Sequence, residues 1–352
     1  MIGYDSRFGP LVPRPVLPIR EMITTGLLPS GLKQWVYRRR GYRIGKNVTL
    51  QPGSLLLGSD VEVGPEVVMS PFAIIRGRSI EVARGASIGR GTVLSVRTVK
   101  VGEDARIEDT VWVSSGRDRA DSAFDIGGFT ILMRYSYVNC LAPVTIGEGT
   151  GIGGHCLLFT HGYWLSWFRG FPRAVAPITI GRDVWLPWRV FVMPGTTIGS
   201  GAVIGANSLV QGEVPPLALA AGSPARVIKH FQGSLPPEQV AQRVHDAVEE
   251  FVSQMKELGA SADGHRIQAT DGRWYQVAIV NSPERLPAAQ SLAAETVVVS
   301  AVTISAEWRR TAEECGVCWF DVASEERSDR QNALGRELVA HLSGYGARFR
   351  RV

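Results

Sequence analysis

No stretch of about 18 apolar residues occurs in the 352-residue sequence, so no membrane-spanning helix is expected. Basic residues never run longer than Arg38-Arg39-Arg40, and the formal net charge is only +5. That excludes the concentrated basic surface of a duplex-binding protein, while a mild positive balance suits an anionic small substrate. Cysteines are few: Cys140, Cys156, Cys315 and Cys318. The C-x-x-C at Cys315 has no second ligand pair spaced for a metal, so it reads as two small residues near a buried strand. No apolar leader opens the chain, where Asp5, Arg7, Arg14 and Arg20 sit among prolines; a cytoplasmic protein with reduced thiols is expected. Charged residues make up 20% and apolar residues 45%, a balance that excludes a disordered chain. What is plentiful is glycine (39) and proline (20), with no collagen rhythm, which suits a fold with many tight corners. The length suffices for two cores.

Between residues 44 and 210 the apolar pattern follows neither the strand period of two nor the helix period of 3.6. It follows six. Ile180, Leu186, Val192, Ile198, Ile204 and Val210 are each six apart, with Gly181, Gly199 and Gly205 following three of them. Ile146, Ile152 and Leu158 keep the spacing, as do Ile126, Leu132, Val138 and Val144. Earlier, the triplets Ile44-Leu50-Leu56, Val63-Met69-Ile75, Val82-Ile88-Leu94 and Val101-Ile107-Val113 each begin nineteen residues after the last. Three short strands and their corners therefore make one coil of a solenoid, with one aliphatic side chain per unit pointing inward. The rhythm breaks at residues 114–124 and 161–177, and protruding loops are where binding chemistry tends to sit.

The ends read differently. Residues 30–41 predict a short helix with Ser30 as cap and Gly41 as stop, whose Leu32, Trp35 and Val36, with Tyr37 as a further candidate, would cover the open end of the solenoid. Pro236–Leu258 predicts an amphipathic helix. Arg266–Ala269 and Trp274–Val280 flank a hairpin turn, Glu295–Ile304 and Val317–Val322 read as strands, and Asp329–Leu342 as a final helix. The expected organisation is an N-terminal helical cap (1–43), a β-solenoid (44–230) and a small α+β extension (235–352). His245, His265 and His341 in the last part read as surface or structural residues.

Pro177-Ile-Thr-Ile-Gly-Arg-Asp-Val-Trp185, the run Val192 to Ser208, Val214-Pro-Pro216 and Ala221-Gly-Ser-Pro-Ala-Arg-Val-Ile-Lys229 together resemble the hexapeptide-repeat acyltransferases. The similarity is to the branch with galactoside, maltose, xenobiotic and polysaccharide-building O-acetyltransferases, and covers about residues 41–230. It implies a mainly β fold, a left-handed parallel β-helix working as a homotrimer, with acetyl-CoA as donor. It implies that His161, sixteen residues before Pro177, is the general base. Elementary chemistry agrees: a sugar hydroxyl is a poor nucleophile, and imidazole can take its proton during attack on an already activated thioester, without metal or covalent intermediate. A backbone N–H is the expected donor to the oxyanion. The resemblance further places Trp185, Ala206, Arg226 and Lys229 along the coenzyme, the two cations suiting its phosphates.

Three departures stand out. Trp188 replaces a small residue beside the expected coenzyme; Gln211-Gly-Glu213 replaces Thr-Lys-Asp; and Asn139-Cys140 falls out of register with the Asn-x-Asn-Cys of the galactoside branch, which points away from a galactoside or maltoside acceptor. A zinc site of the γ-carbonic anhydrase kind would need a histidine on an earlier coil, and none precedes His155. No metal is expected. The loop after His161 holds Tyr163, Trp164, Trp167, Phe168 and Phe171, rings that suit sugar faces, a hydrophobic acceptor or a subunit interface, with Arg169 for a phosphate or carboxylate. Arg117, Asp118, Arg119 and Asp121 in the first loop are expected to reach the same cleft from a neighbouring subunit. The leading expectation is O-acetylation of a sugar or sugar-bearing precursor. An amine acceptor on an amino sugar or natural product, a longer acyl donor, and a non-catalytic scaffold stay open.

Overall fold

The computed structural model describes residues 18–115, 119–163, 165–233, 235–345 and 347–351. The chain divides into two compact units, Met1–Gly233 and Ser234–Val352.

In the first unit the backbone visits three parallel sheets in turn. Among the described residues the first face has nine strands, from Arg43–Ile44 to Glu213–Val214. The second has ten, from Thr49–Leu50 to Ala218–Gly222, with Ala225–His230 closing it antiparallel. The third has eight, from Leu55–Leu57 to Leu209–Val210. Each strand pairs with the strand of the same face one coil later, so Val63 sits over Ile44 and Ile88 over Met69. Strands of two to four residues satisfy their backbone groups only through these neighbours. The six-residue column forms the core: Leu50, Met69, Ile88, Ile107, Leu132, Ile152, Leu186 and Ile204 are all at most 1% exposed. Burying each such side chain contributes about 1.5–3 kcal/mol, and none can be buried by one coil alone. The glycine after the aliphatic residue has its own reason. A Cβ on Gly147 would lie 2.5 Å from the backbone of Gly181, and one on Gly199 would lie 2.4 Å from Pro216 N. Successive corners stack too closely for a side chain.

The N-terminal helix, Ser30–Arg39, presents a different face from the one expected. Lys33 and Tyr37 are buried, whereas Leu32 and Trp35 are exposed. The Lys33 ammonium donates to Gln51 O at 2.8 Å and Ser54 O at 3.2 Å, carbonyls of the first coil. Burial pushes its pKa down to about 8. The Tyr37 hydroxyl accepts from Leu56 N–H and its ring stacks on Tyr42. These polar demands at the end of the coil outweigh the apolar pattern of the helix. Ser30 is the first helical residue rather than its cap, and its hydroxyl accepts from Leu50 N–H at 3.0 Å. Gly41 does mark the stop, at φ +86°.

The second unit carries a seven-stranded mixed sheet: the antiparallel run Ala262–Asp263, Arg266–Gln268 and Trp274–Val280, then Thr296–Ser300 and Cys318–Asp321 parallel to Trp274–Val280, then Glu326–Arg327 and Arg350–Arg351. Helices Pro237–Glu257 and Ala333–Gly344 pack in one core with Val297, Val299 and Phe320, while Ala312 of helix Ala306–Glu314 packs in another with Val298 and Trp319. The sheet is thus covered on both faces. No sequence expectation covered the helix Ala306–Glu314. Arg309 on it reaches Asp321 at 2.8 Å and also pairs with Glu326. His341 bridges the two long helices, bonding Gln254 at 2.9 Å and Ala247 O at 3.0 Å, and His265 pairs with Glu249.

Candidate active site

The third-face strand Leu157–Phe159 ends where the rhythm breaks. Thr160 turns the corner, and His161–Gly162 pairs antiparallel with Ala174–Val175 at the base of the protruding hairpin. His161 is half-buried. Its Nδ1 lies 2.8 Å from Oδ1 of Asn139, the last residue of strand Tyr137–Asn139 one coil below.

That contact fixes the tautomer. Asn139 Oδ1 also accepts from the backbone N–H of Leu141 at 3.2 Å, which marks this atom as the oxygen of the amide. An oxygen acceptor requires Nδ1 to carry the proton, which leaves the lone pair on Nε2. Asn139 is itself held. It is 4% exposed, and Thr160 Oγ1 donates to its carbonyl at 2.9 Å while accepting from Ala142 N–H at 3.0 Å. Desolvation lowers the His161 pKa, because burial disfavours the imidazolium. The site therefore offers a neutral imidazole, fixed in orientation, with Nε2 free to accept a proton.

Aromatic rings surround it. Tyr163 meets the imidazole edge-on at 5.5 Å and Phe159 lies 6.0 Å away. The Arg173 guanidinium sits over Tyr163 at 5.2 Å. From the first loop, Arg119 lies within electrostatic reach of the same phenol and forms a two-pronged pair with Asp121, at 2.9 Å on both arms. Nearby thiols offer no competing nucleophile: Cys140 is fully buried and its pKa pushed well up, and burial pushes Cys156 up to about 11.

The other expected residues divide. Trp167 and Arg169 lie on the exposed turn Trp167–Arg169 at the hairpin tip, with Phe168 and Phe171 as their ring neighbours rather than His161. Arg117, Asp118 and Trp164 lie outside the described residues. Trp185 and Lys229 share the second face, linked by the register Trp185–Val203–Leu219–Lys229 across neighbouring strands. Arg226 is on the same closing strand, opposite Ala221. Trp188 and Ala206 are in the corner between the second and third faces. Trp188 is accommodated by Gly154, where a Cβ would meet its ring at 2.6 Å, and packs on His155, which in turn packs on Tyr135. His161 belongs to the corner after the third face. Within one chain, the expected base and the expected coenzyme residues therefore stand at different corners of the coil.

Asn139 and Arg173 were not among the residues singled out for chemistry. Asn139 had a signal, a polar residue directly after the inward Val138. Arg173 had none beyond its charge.

No family model matches the chain. A Staphylococcus aureus (strain COL) protein provisionally named an acetyltransferase is 46% identical over 69 residues, 20% of this chain and 34% of that protein. The galactoside O-acetyltransferase of Escherichia coli K12 is 34% identical over 133 residues, 37% of this chain and 63% of that protein. The chain spans about a third of the length of the first of these relatives and less than two thirds of the second. Among solved structures, the hexapeptide-repeat acetyltransferase VCA0836 of Vibrio cholerae, complexed with acetyl coenzyme A, is 26% identical, covering 42% of this chain and 72% of that one at a TM-score of 0.28. A galactoside acetyltransferase complexed with coenzyme A is 27% identical, covering 38% and 64%, at a TM-score of 0.26. The resemblance to the hexapeptide-repeat acyltransferases read from the motifs is borne out by the two sequence relatives.

Proposed function

We propose that the chain is an acetyl-CoA-dependent O-acetyltransferase acting on a hydroxyl of a sugar or sugar-bearing precursor, on a left-handed β-helix. The observation that carries this reading is the Asn139–His161 pair, which leaves Nε2 unprotonated on a half-buried imidazole beside the Tyr163 and Phe159 rings. Acetyl-CoA, as substrate, brings an activated acyl group. His161 Nε2 takes the acceptor's proton as the hydroxyl oxygen attacks, and returns it to the departing thiolate, so the imidazole ends neutral. Asn139 holds the ring in place throughout, and the low pKa keeps it in the base form near neutrality.

A homotrimer belongs to the same reading. His161 stands at the corner after the third face, whereas Trp185, Arg226 and Lys229 lie on the second face and Trp188 and Ala206 at the corner after it, and side-by-side packing with cyclic symmetry brings one protomer's His161 to its neighbour's second face. The outer third face suits that contact: Trp112 and Leu157 are 41% and 38% exposed, and paired strands set Tyr137 and Phe191 in the same row.

The test is thiol release from acetyl-CoA across a panel of sugars, nucleotide sugars and amine-bearing glycosides. Acceptor-dependent release that falls by at least about 100-fold in His161→Ala is expected. Release unaffected by that substitution would remove the reading.

A further inference from the structure

The N-terminal helices leave a feature that acyl transfer does not use. Residues Ile19–Glu21 and Met22–Gly26 form one short helical stretch, followed by Ser30–Arg39. Both turn their buried sides to the same first coil. Gly26 O accepts from Gly53 N–H at 2.7 Å, and Lys33 and Tyr37 bond to residues 51–56. Their other sides are apolar. Ile19, Ile23 and Leu27 recur every four residues, and Leu32 and Trp35 three apart; all five are between 47% and 66% exposed. Five large apolar side chains on one end of a solenoid exceed the scattered exposure of an ordinary surface.

The rim of this patch is basic. Arg20, Arg38, Arg39 and Arg40 are exposed, and Glu21 is the sole acidic residue between positions 18 and 42. Among the described residues none of these guanidiniums is paired with a carboxylate: Arg38 bonds Gln34 and the carbonyls of Ile44 and Gly45, Arg40 bonds Thr25, and Arg39 lies over the Trp35 ring at 4.9 Å. The nearby Asp60 and Glu62 are taken by Arg43. Aliphatic side chains with a tryptophan, ringed by unneutralised arginines, match a layer of apolar chains beneath anionic headgroups. A soluble acidic partner would leave the aliphatic stripe in water, and a second copy of the same patch would set the arginines against one another.

We infer that this end of the molecule docks on an anionic lipid surface, as a peripheral contact rather than a span. The inference does not depend on the acyl-transfer reading, because the test measures no activity. The full chain is floated with vesicles of phosphatidylcholine alone and with about a third phosphatidylglycerol. Co-flotation with the anionic vesicles, weakened by salt, is expected. Ile23→Ser with Trp35→Ser should reduce binding at least about 10-fold by removing inserted apolar surface. Arg20→Gln with Arg39→Gln should reduce it about 10-fold and flatten the salt dependence. Because all four side chains are exposed, circular dichroism and melting should match the parent, which separates lost docking from lost folding. Absence of flotation with both vesicle types, or unchanged binding in both double variants, would overturn the inference. So would a change confined to self-association in Ile23→Ser with Trp35→Ser, seen by sedimentation velocity, which would make a second copy the occupant.

Discussion

In the coil unit, a side chain meets the residue one coil away, so Val144 pairs with Phe124 and with Ile178, and the same contact type recurs along the whole stack. In the second unit contacts are singular and distant in sequence. His341 reaches Ala247 across 94 residues, and Arg350–Arg351 completes a sheet begun at Ala262. The coil is held by repetition of one small aliphatic contact, with glycine wherever corners touch. The second unit is held by individual arrangements, of which the Arg309–Asp321–Glu326 cluster is the clearest. The proposed site sits where the coil stops repeating, at the hairpin that begins with His161, against Asn139 one coil below.

The difference can be broken from either side. Arg309→Leu should have the largest effect, about 3–5 kcal/mol, because Asp321 is 0% exposed and would lose its cation. Ile304 and Ser324 N–H groups would remain its donors. The loss should appear in denaturant unfolding of the second unit and leave the coil unit's transition in place. Leu158→Ala should cost about 2–5 kcal/mol in the coil unit, since this inward side chain is 0% exposed and its coil cannot collapse without shifting its neighbours. A matching shift in the second unit's transition would show that the two do not unfold independently. Asn139→Ala should lower kcat on the order of 10²-fold by releasing the imidazole from its orientation, with KM for acetyl-CoA little changed. Equal loss in KM would assign Asn139 to binding instead.

Much of this was legible before any coordinates. The six-residue column required a solenoid because each inward residue repeats a role that its neighbours also state. The amphipathic helix expected at Pro236–Leu258 is observed at Pro237–Glu257, since its apolar spacing is long enough to be unambiguous. The helix Ala306–Glu314 was not legible: among its nine residues Ala312 alone is buried, so no stripe announces it. Two-residue strands such as Glu326–Arg327 are too short to show a period. Nothing in the sequence marks Lys33 for burial, which the carbonyls of Gln51 and Ser54 at the end of the coil explain. At the site, the motif located His161 but not its partner. Asn139 is 22 residues earlier and one coil below, so the pairing depends on how the two coils stack and on a corner side chain outside the inward apolar column, which the six-residue spacing does not supply.

The account rests on a neutral His161 whose Nε2 accepts the acceptor's proton. The pH dependence of kcat/KM for acyl transfer tests it most directly. Burial lowers the His161 pKa, so the base form prevails above it, and the rate should rise through a single ionisation below about 6.5 and then stay level through neutrality. The residual rate of His161→Ala should lack that ionisation. A controlling ionisation above 7, or one that survives the substitution, would contradict the account.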